Sequence, residues 1–281
     1  MSGAIDILCN HFTPENLKRN FIDNANEAET FESAGIADNL QGLEPKEFIA
    51  YMDETGIDKV LITALKSWSL FDQRMQVSTS VDEIVEAATV APDRILGLYG
   101  INPMARMNGV RELEAAVVKS GFKGAHIHPH GYDLPLDHAY YFPFYAKCME
   151  LDVPVVVSMG HTLDRLPIDV GHPTHLDRVA LYFPELRIVC THTGWPWVEE
   201  AIALVSKHPN MFLGTSAYAP KYWKPEMVKF INSRGKDKVM WGTDYPVIKH
   251  DRSLREIGDL GLNKEAHENL LHRNAVRVFG F

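Results

Sequence analysis

A few of the 13 histidines in this 281-residue chain stand beside carboxylates, amides and hydroxyls where short apolar runs end. Asp244 closes VMWGTDYP, His192 closes RIVCTHTGW, and His126 and His128 alternate in GAHIHPH. Asn10 and His11 follow AIDILC, Ser158 and His161 follow PVVV, and Tyr218 follows FLGTSA. A carboxylate grouped with imidazoles has the composition of an acid–base site. Asp244 and His192 are candidate catalytic residues. His128 is the third catalytic candidate. His126, His161, Trp195, Tyr218 and Asn10 are candidates for holding the substrate, with Trp195 as a pocket wall. Plainer alternatives stand beside these: His126 as a satisfied core histidine, His161 as loop packing, Asp244 as a cap on the following turn. Ser158 and Ser216 sit at similar places, but no Gly-x-Ser-x-Gly elbow supports either as a nucleophile. Cys9, Cys148 and Cys190 are too scattered for a disulfide framework or a zinc knuckle.

Such residues act together only if the fold brings their run ends to one place. Eight runs rich in β-branched residues recur, at 4–8, 59–64, 95–101, 124–128, 154–158, 187–191, 211–215 and 238–241. Helix-length segments separate them, at 45–55, 81–91, 110–120, 142–151, 174–182, 197–207 and 225–233, with 254–260 and 264–279 after the last. This rhythm predicts an α/β fold, a single (β/α)8 TIM barrel over 1–281 with an insertion after strand one. An open doubly wound sheet is disfavoured, because no Gly-rich phosphate turn follows the first run. In the insertion, 14–21 reads as a short helix and 23–32 as an acidic loop, a lid or surface feature. A barrel places its active site at the C-terminal ends of the strands, where the candidate residues fall.

Composition sets the remaining limits. The chain carries 28 basic and 37 acidic side chains, a formal charge of −9, which argues against nucleic acid or an anionic membrane as partner. No apolar run approaches the ~20 residues of a membrane helix, and Asp6 interrupts the opening apolar stretch. The expectation is a soluble cytoplasmic protein acting on a small molecule, with a homo-oligomer through the outer helices as an option. His130 and His138 read as solvated; His172, His175, His208, His250, His267 and His272 read as loop or helix-face residues.

AID at the first run, GFKGAHIHPH at the fourth, ELRIVCTHTGWPW at the sixth, VMWGTDYP at the eighth and the terminal NAVRVFGF together carry a resemblance. The chain resembles the amidohydrolase-related branch of the metal-dependent hydrolase superfamily, which includes aminocarboxymuconate-semialdehyde decarboxylase and the non-oxidative aromatic acid decarboxylases. That resemblance implies metal ligands from a His-x-His ending strand one, a His ending strand five, a His at strand six and an Asp at strand eight. His192 and Asp244 match the last two; Leu8-Cys9-Asn10 and Ser158 stand at the others. The expectation is therefore no metal, with zinc or manganese possible through a displaced set of His11, His161, His192 and Asp244. By analogy with metal-free lactonases that resemble this family, the expected activity is hydrolysis of a small carboxylated lactone or ring-derived acid, with Asp244 as general base. Lys66, Arg74, Arg165 and Lys221 are the loop cations that could clamp its carboxylate. The alternatives are a metal-dependent decarboxylase of an aromatic or unsaturated acid, and an inactive ligand-binding barrel.

Overall fold

The computed structural model describes residues 3–70 and 72–281. Its strands are β1 (Ala4–Cys9), β2 (Ile57–Thr63), β3 (Lys66–Ser69), β4 (Arg74–Ser78), β5 (Ile95–Gly100), β6 (Gly124–Ile127), β7 (Val155–Val157), β8 (Ile188–Cys190), β9 (Met211–Gly214) and β10 (Val239–Met240). Eight of them form one parallel sheet in the order β1-β2-β5-β6-β7-β8-β9-β10. The last strand returns to the first: Ile7 N donates to Trp241 O at 3.2 Å, Asp244 N to Leu8 O at 2.8 Å and Asn10 N to Tyr245 O at 2.7 Å. The result is the single (β/α)8 barrel that the alternation predicts.

Both faces of these strands are covered, so they are largely apolar. Inward side chains such as Ile7, Leu61, Leu98, Val156, Val189 and Met240 pack a cluster inside the barrel. The outward ones join the larger cluster under the helices. Gly100 marks a close approach: a Cβ there would collide with the Ala64 carbonyl oxygen. The helix Pro45–Thr55 has the predicted bounds. Pro45 opens it, Glu44 and Glu47 cap each other's backbone amides, and Gly56 ends it at φ 75°.

Several elements differ from expectation. The segment read as an acidic loop contains the helix Ala25–Ser33, whose inner side buries Glu27 and Phe31. One large apolar residue per two turns is too thin a stripe to announce a helix. An antiparallel hairpin, β3–β4, follows β2 and was not anticipated. The helix read as 110–120 begins earlier, at Arg106, and the last helical stretch is broken by a π-turn at Asn269–Arg273.

A fully buried polar post ties the barrel seam together. Asp6 accepts from Leu8 N at 3.0 Å, from Thr243 N at 3.1 Å, from Thr243 Oγ1, and from His250 Nε2 at 2.9 Å. His250, read from sequence as a helix-face residue, is instead wholly buried and stacked on Tyr245 at 4.9 Å. Its helix, His250–Gly258, starts four residues earlier than 254 because His250 is drawn onto Asp6. Asp6→Ala strands an imidazole and two amides in a dry interior. It is expected to cost about 3–5 kcal/mol in denaturant unfolding, and a loss under ~1 kcal/mol would show the post to be dispensable.

Candidate active site

The C-terminal strand ends open on a cavity of about 120 Å³. Its floor is built from Asn10 after β1, His126 and His128 at β6, Ser158 after β7, His192 after β8 and Asp244 after β10. Its upper walls come from Phe21, Glu27 and Phe31 of the insertion, Ser67 and Val77 of the hairpin, and His161 and Asp164 of the loop after β7. The two elements that the sequence did not announce as ordered thus roof the site.

A hydrogen-bond chain crosses the floor. Thr63 Oγ1 meets His126 Nδ1 at 2.9 Å, and His126 Nε2 meets Ser158 Oγ at 3.0 Å. Ser158 Oγ then meets His192 Nε2 at 3.1 Å, and His192 Nδ1 meets Ser216 Oγ at 3.0 Å. Burial pushes His126 and His192 each down to about 3, so both rings are neutral. His128 is driven down by burial and by neighbouring imidazoles, and its Nδ1 is buried without a partner. These rings can donate and accept hydrogen bonds, but they carry no second proton and no positive charge at neutral pH.

Asp244 behaves differently. Burial raises its carboxyl to about 7, Asp6 adds to the rise, the amide of Asn10 opposes it, and Asp164 contributes further. Asn10 Nδ2 donates to Asp244 Oδ1 at 3.1 Å. Among the described residues no backbone amide caps this carboxylate, so the plain turn-cap reading of Asp244 does not describe its contacts. Asp244 lies at φ 59°, His192 at 61°, Thr193 at 55° and Ala217 at 67°. Left-handed non-glycine backbone is costly, and here it is concentrated at three strand ends around one cavity.

The structure brings Asn10, His126, His128, His161, His192, Tyr218 and Asp244 together around the cavity. Trp195 is a correction: it packs edge-on against His161 at 5.1 Å and against Tyr218 at 5.7 Å, behind the wall rather than in it. His130 is another, fully buried and bonded to Gly160 O at 2.8 Å instead of solvated. The expected carboxylate clamp is absent from the described lining, which contains no Lys or Arg. Lys66 Nζ is held by Ser78 Oγ at 2.8 Å, Arg165 pairs with Glu29, Arg74 lies beside Asp72, and Lys221 lies over Tyr222. Sequence reading missed Glu27, Asp164 and Ser67, for which no strand-end position gave a signal.

The model for the family described as amidohydrolase matches residues 34–281. The chain belongs to the amidohydrolase family. It is 24% identical to the 2-amino-3-carboxymuconate-6-semialdehyde decarboxylase of Dictyostelium discoideum, over 71% of this chain and 65% of that protein, slightly under two thirds of its length. It is 22% identical to the gamma-resorcylate decarboxylase of a Polaromonas species, over 82% of this chain and 86% of that one. Among solved structures, an uncharacterised TIM-barrel protein of Bordetella bronchiseptica superposes with a TM-score of 0.79 at 23% identity, covering 99% of this chain and 98% of that one. A 5-carboxyvanillate decarboxylase of Novosphingobium aromaticivorans, crystallised with manganese, gives 0.72 at 20% identity, covering 99% and 96%. The structural likenesses establish the fold. The family match makes this amidohydrolase an enzyme of that superfamily.

The donors of this amidohydrolase do not fit the implied metal set of four histidines and an aspartate. Leu8 is buried hydrocarbon, and Asn10 and Ser158 are neutral oxygen or amide groups. Both ring nitrogens of His192 are engaged by serines. The displaced set does not assemble either, because His11 turns to Glu83 O at 3.3 Å and to Thr13. Among the described residues, three donors lie within 4.8 Å of one another at Asp6, Cys9 and His250, which belong to the buried seam.

Proposed function

We propose that this enzyme removes carbon dioxide from a small unsaturated or aromatic carboxylic acid, with Asp244 delivering the proton. The supporting observation is a carboxyl raised to about 7 at the floor of a cavity whose described lining holds no Lys or Arg. A substrate carboxylate there is held by neutral donors from Ser158, the imidazoles and Asn10. It has lost water and gains no opposite charge, so departure of neutral carbon dioxide relieves its desolvation. The C–C bond pair stays on the ring or alkene carbon. The Asp244 proton bonds to that carbon, giving R–H, carbon dioxide and the Asp244 carboxylate, which solvent reprotonates. Decarboxylases among the relatives support the reaction class.

Carboxyl-labelled hydroxybenzoates and unsaturated diacids provide the test. Labelled carbon dioxide, with one deuteron at the vacated carbon in heavy water, is the expected result; turnover of the panel without gas release would overturn the proposal. A second reading is favoured by the lost metal-ligand positions: hydrolysis of a carboxylated lactone, with ionised Asp244 activating water. It predicts solvent oxygen in the product and no carbon dioxide.

A further inference from the structure

We propose that His128 is the substrate's hydrogen-bond donor on the cavity floor. Its Nε2–H meets an oxygen on the carbon frame of the acid, so the site selects hydroxy or oxo acids over their hydrocarbon analogues. His128 follows β6 and precedes Pro129, which disfavours a helical turn at this residue. It therefore keeps the strand's alternation with His126, and both rings line the cavity. His128 is half-buried. Its Nδ1 is sealed in the interior without a partner, whereas Nε2 is not sealed and no described residue bonds it. A hydrogen on Nδ1 would be an orphaned buried donor, which folded proteins avoid, so the ring's one hydrogen sits on Nε2. A doubly protonated ring would strand the same N–H and bury a charge as well. His130, whose ring lies 5.2 Å away, has the same arrangement. Its Nε2 donates to Gly160 O at 2.8 Å, and a carbonyl only accepts, so its own sealed Nδ1 is bare too.

The other donors of the floor are committed. Thr63 and Ser158 take both nitrogens of His126, and Ser158 and Ser216 take both nitrogens of His192. Asn10 Nδ2 turns to Asp244 Oδ1 at 3.1 Å and to Asp244 O at 3.3 Å. Among the described residues, His128 is the floor imidazole with a free donor. A donor on the departing carboxylate would stabilise charge that must disappear; on a frame oxygen it meets charge that grows. As carbon dioxide leaves, the C–C bond pair passes to the substrate carbon and spreads onto that oxygen. The His128 N–H stabilises it there and keeps its own proton, and Asp244 supplies the proton that the carbon takes. A neutral imidazole suits this task, because it polarises an oxygen without protonating it.

The choice of an acid rests on the proposed decarboxylation, but binding of the free-donor ligand needs no turnover. In nitrogen-15 spectra of the histidine-labelled full chain, with His128→Gln assigning the ring, Nε2 is expected to be protonated and Nδ1 bare. The Nε2–H signal should move with 2-hydroxybenzoate and stay with 2-methylbenzoate. By calorimetry the hydroxy acid is expected to bind at least about tenfold tighter than its methyl isostere. His128→Phe keeps a ring without a donor and should erase that preference while keeping 2-methylbenzoate binding. His128→Gln returns an amide N–H near the place of Nε2 and should restore part of the preference. A proton on Nδ1, equal binding of the two acids, or a preference that survives His128→Phe would overturn the proposal. A His128-dependent preference without carbon dioxide release from any acid would support it and overturn the decarboxylation alone.

Discussion

Asp244→Asn is expected to lower kcat for carbon dioxide release by about a thousandfold while the barrel remains folded, the scale for loss of a positioned general acid. Asn keeps the shape and the contact with Asn10 but has no proton to give. The pH profile follows from the carboxyl's position at about 7. A donor must be protonated, so kcat/KM should be level below that value and fall about tenfold per unit above it. The hydrolytic reading, with Asp244 as base, inverts that limb. Stability carries a matching signature. The unfolded chain releases this proton near ~4, whereas the folded chain keeps it to about 7. Between those values the native state binds more protons, so this group makes stability fall as pH rises. The Asn variant should therefore equal the wild type near pH ~4 and exceed it by at least about 1 kcal/mol at pH ~8. A variant that retains activity, or loses stability at high pH, would remove Asp244 from the proton-carrying role.

The gain in stability on removing a functional group is the expected cost of a desolvated active site. The same logic accounts for the left-handed backbone at His192 and Asp244. Turning a strand end sharply aims a side chain into the cavity, and the seam bonds of Asp6 hold the turn in place.

How much of this was legible in the sequence depended on range. Strand runs such as 95–101 and 124–128 announced themselves because both faces of a parallel strand are buried. Strand-end residues followed from the barrel alone, which is why Asn10, His128, His192 and Asp244 could be read as neighbours from their places at run ends, and all four line one cavity. What failed was tertiary. His250 and His130 sit on a helix start and a short turn, and nothing local distinguishes a buried imidazole there from a solvated one. The helix carrying Glu27 is too polar to declare itself, and its burial depends on Gln76 and the loop at Asp164, distant in the chain, as well as on nearby Phe21. Trp195 was read as a pocket wall from its place after the sixth strand; its ring is spent on supporting His161 and Tyr218. The cation clamp failed because proximity in sequence to a strand end says nothing about where a long side chain finds its partner.

The second large effect concerns metal. In this fold four strand ends converge on one point, and a tight zinc or manganese site needs several charged or imidazole donors there. Here Leu8 and Asn10 at the first strand end and Ser158 at another leave two of the four ends without imidazoles, and the floor is instead tied by the chain from Thr63 to Ser216 through His126, Ser158 and His192. Elemental analysis of the purified wild type is expected to find under about a tenth of an equivalent, and a chelator should leave its Tm unchanged. The combined substitution Leu8→His, Asn10→His and Ser158→His supplies the missing imidazoles next to Asp244. It breaks the serine bridge, so His192 Nε2 is released to face them. That variant should take up about one equivalent of manganese or zinc, with a chelator-reversible rise in unfolding free energy of a few kcal/mol when metal is in large excess over Kd. Stoichiometric metal in the wild type would mean that Asn10 and Ser158 ligate after all. Failure of the folded triple variant to bind would mean that the strand ends no longer converge closely enough. Uptake confined to the triple variant would place the loss at three side chains on a barrel that still has the geometry for the ion.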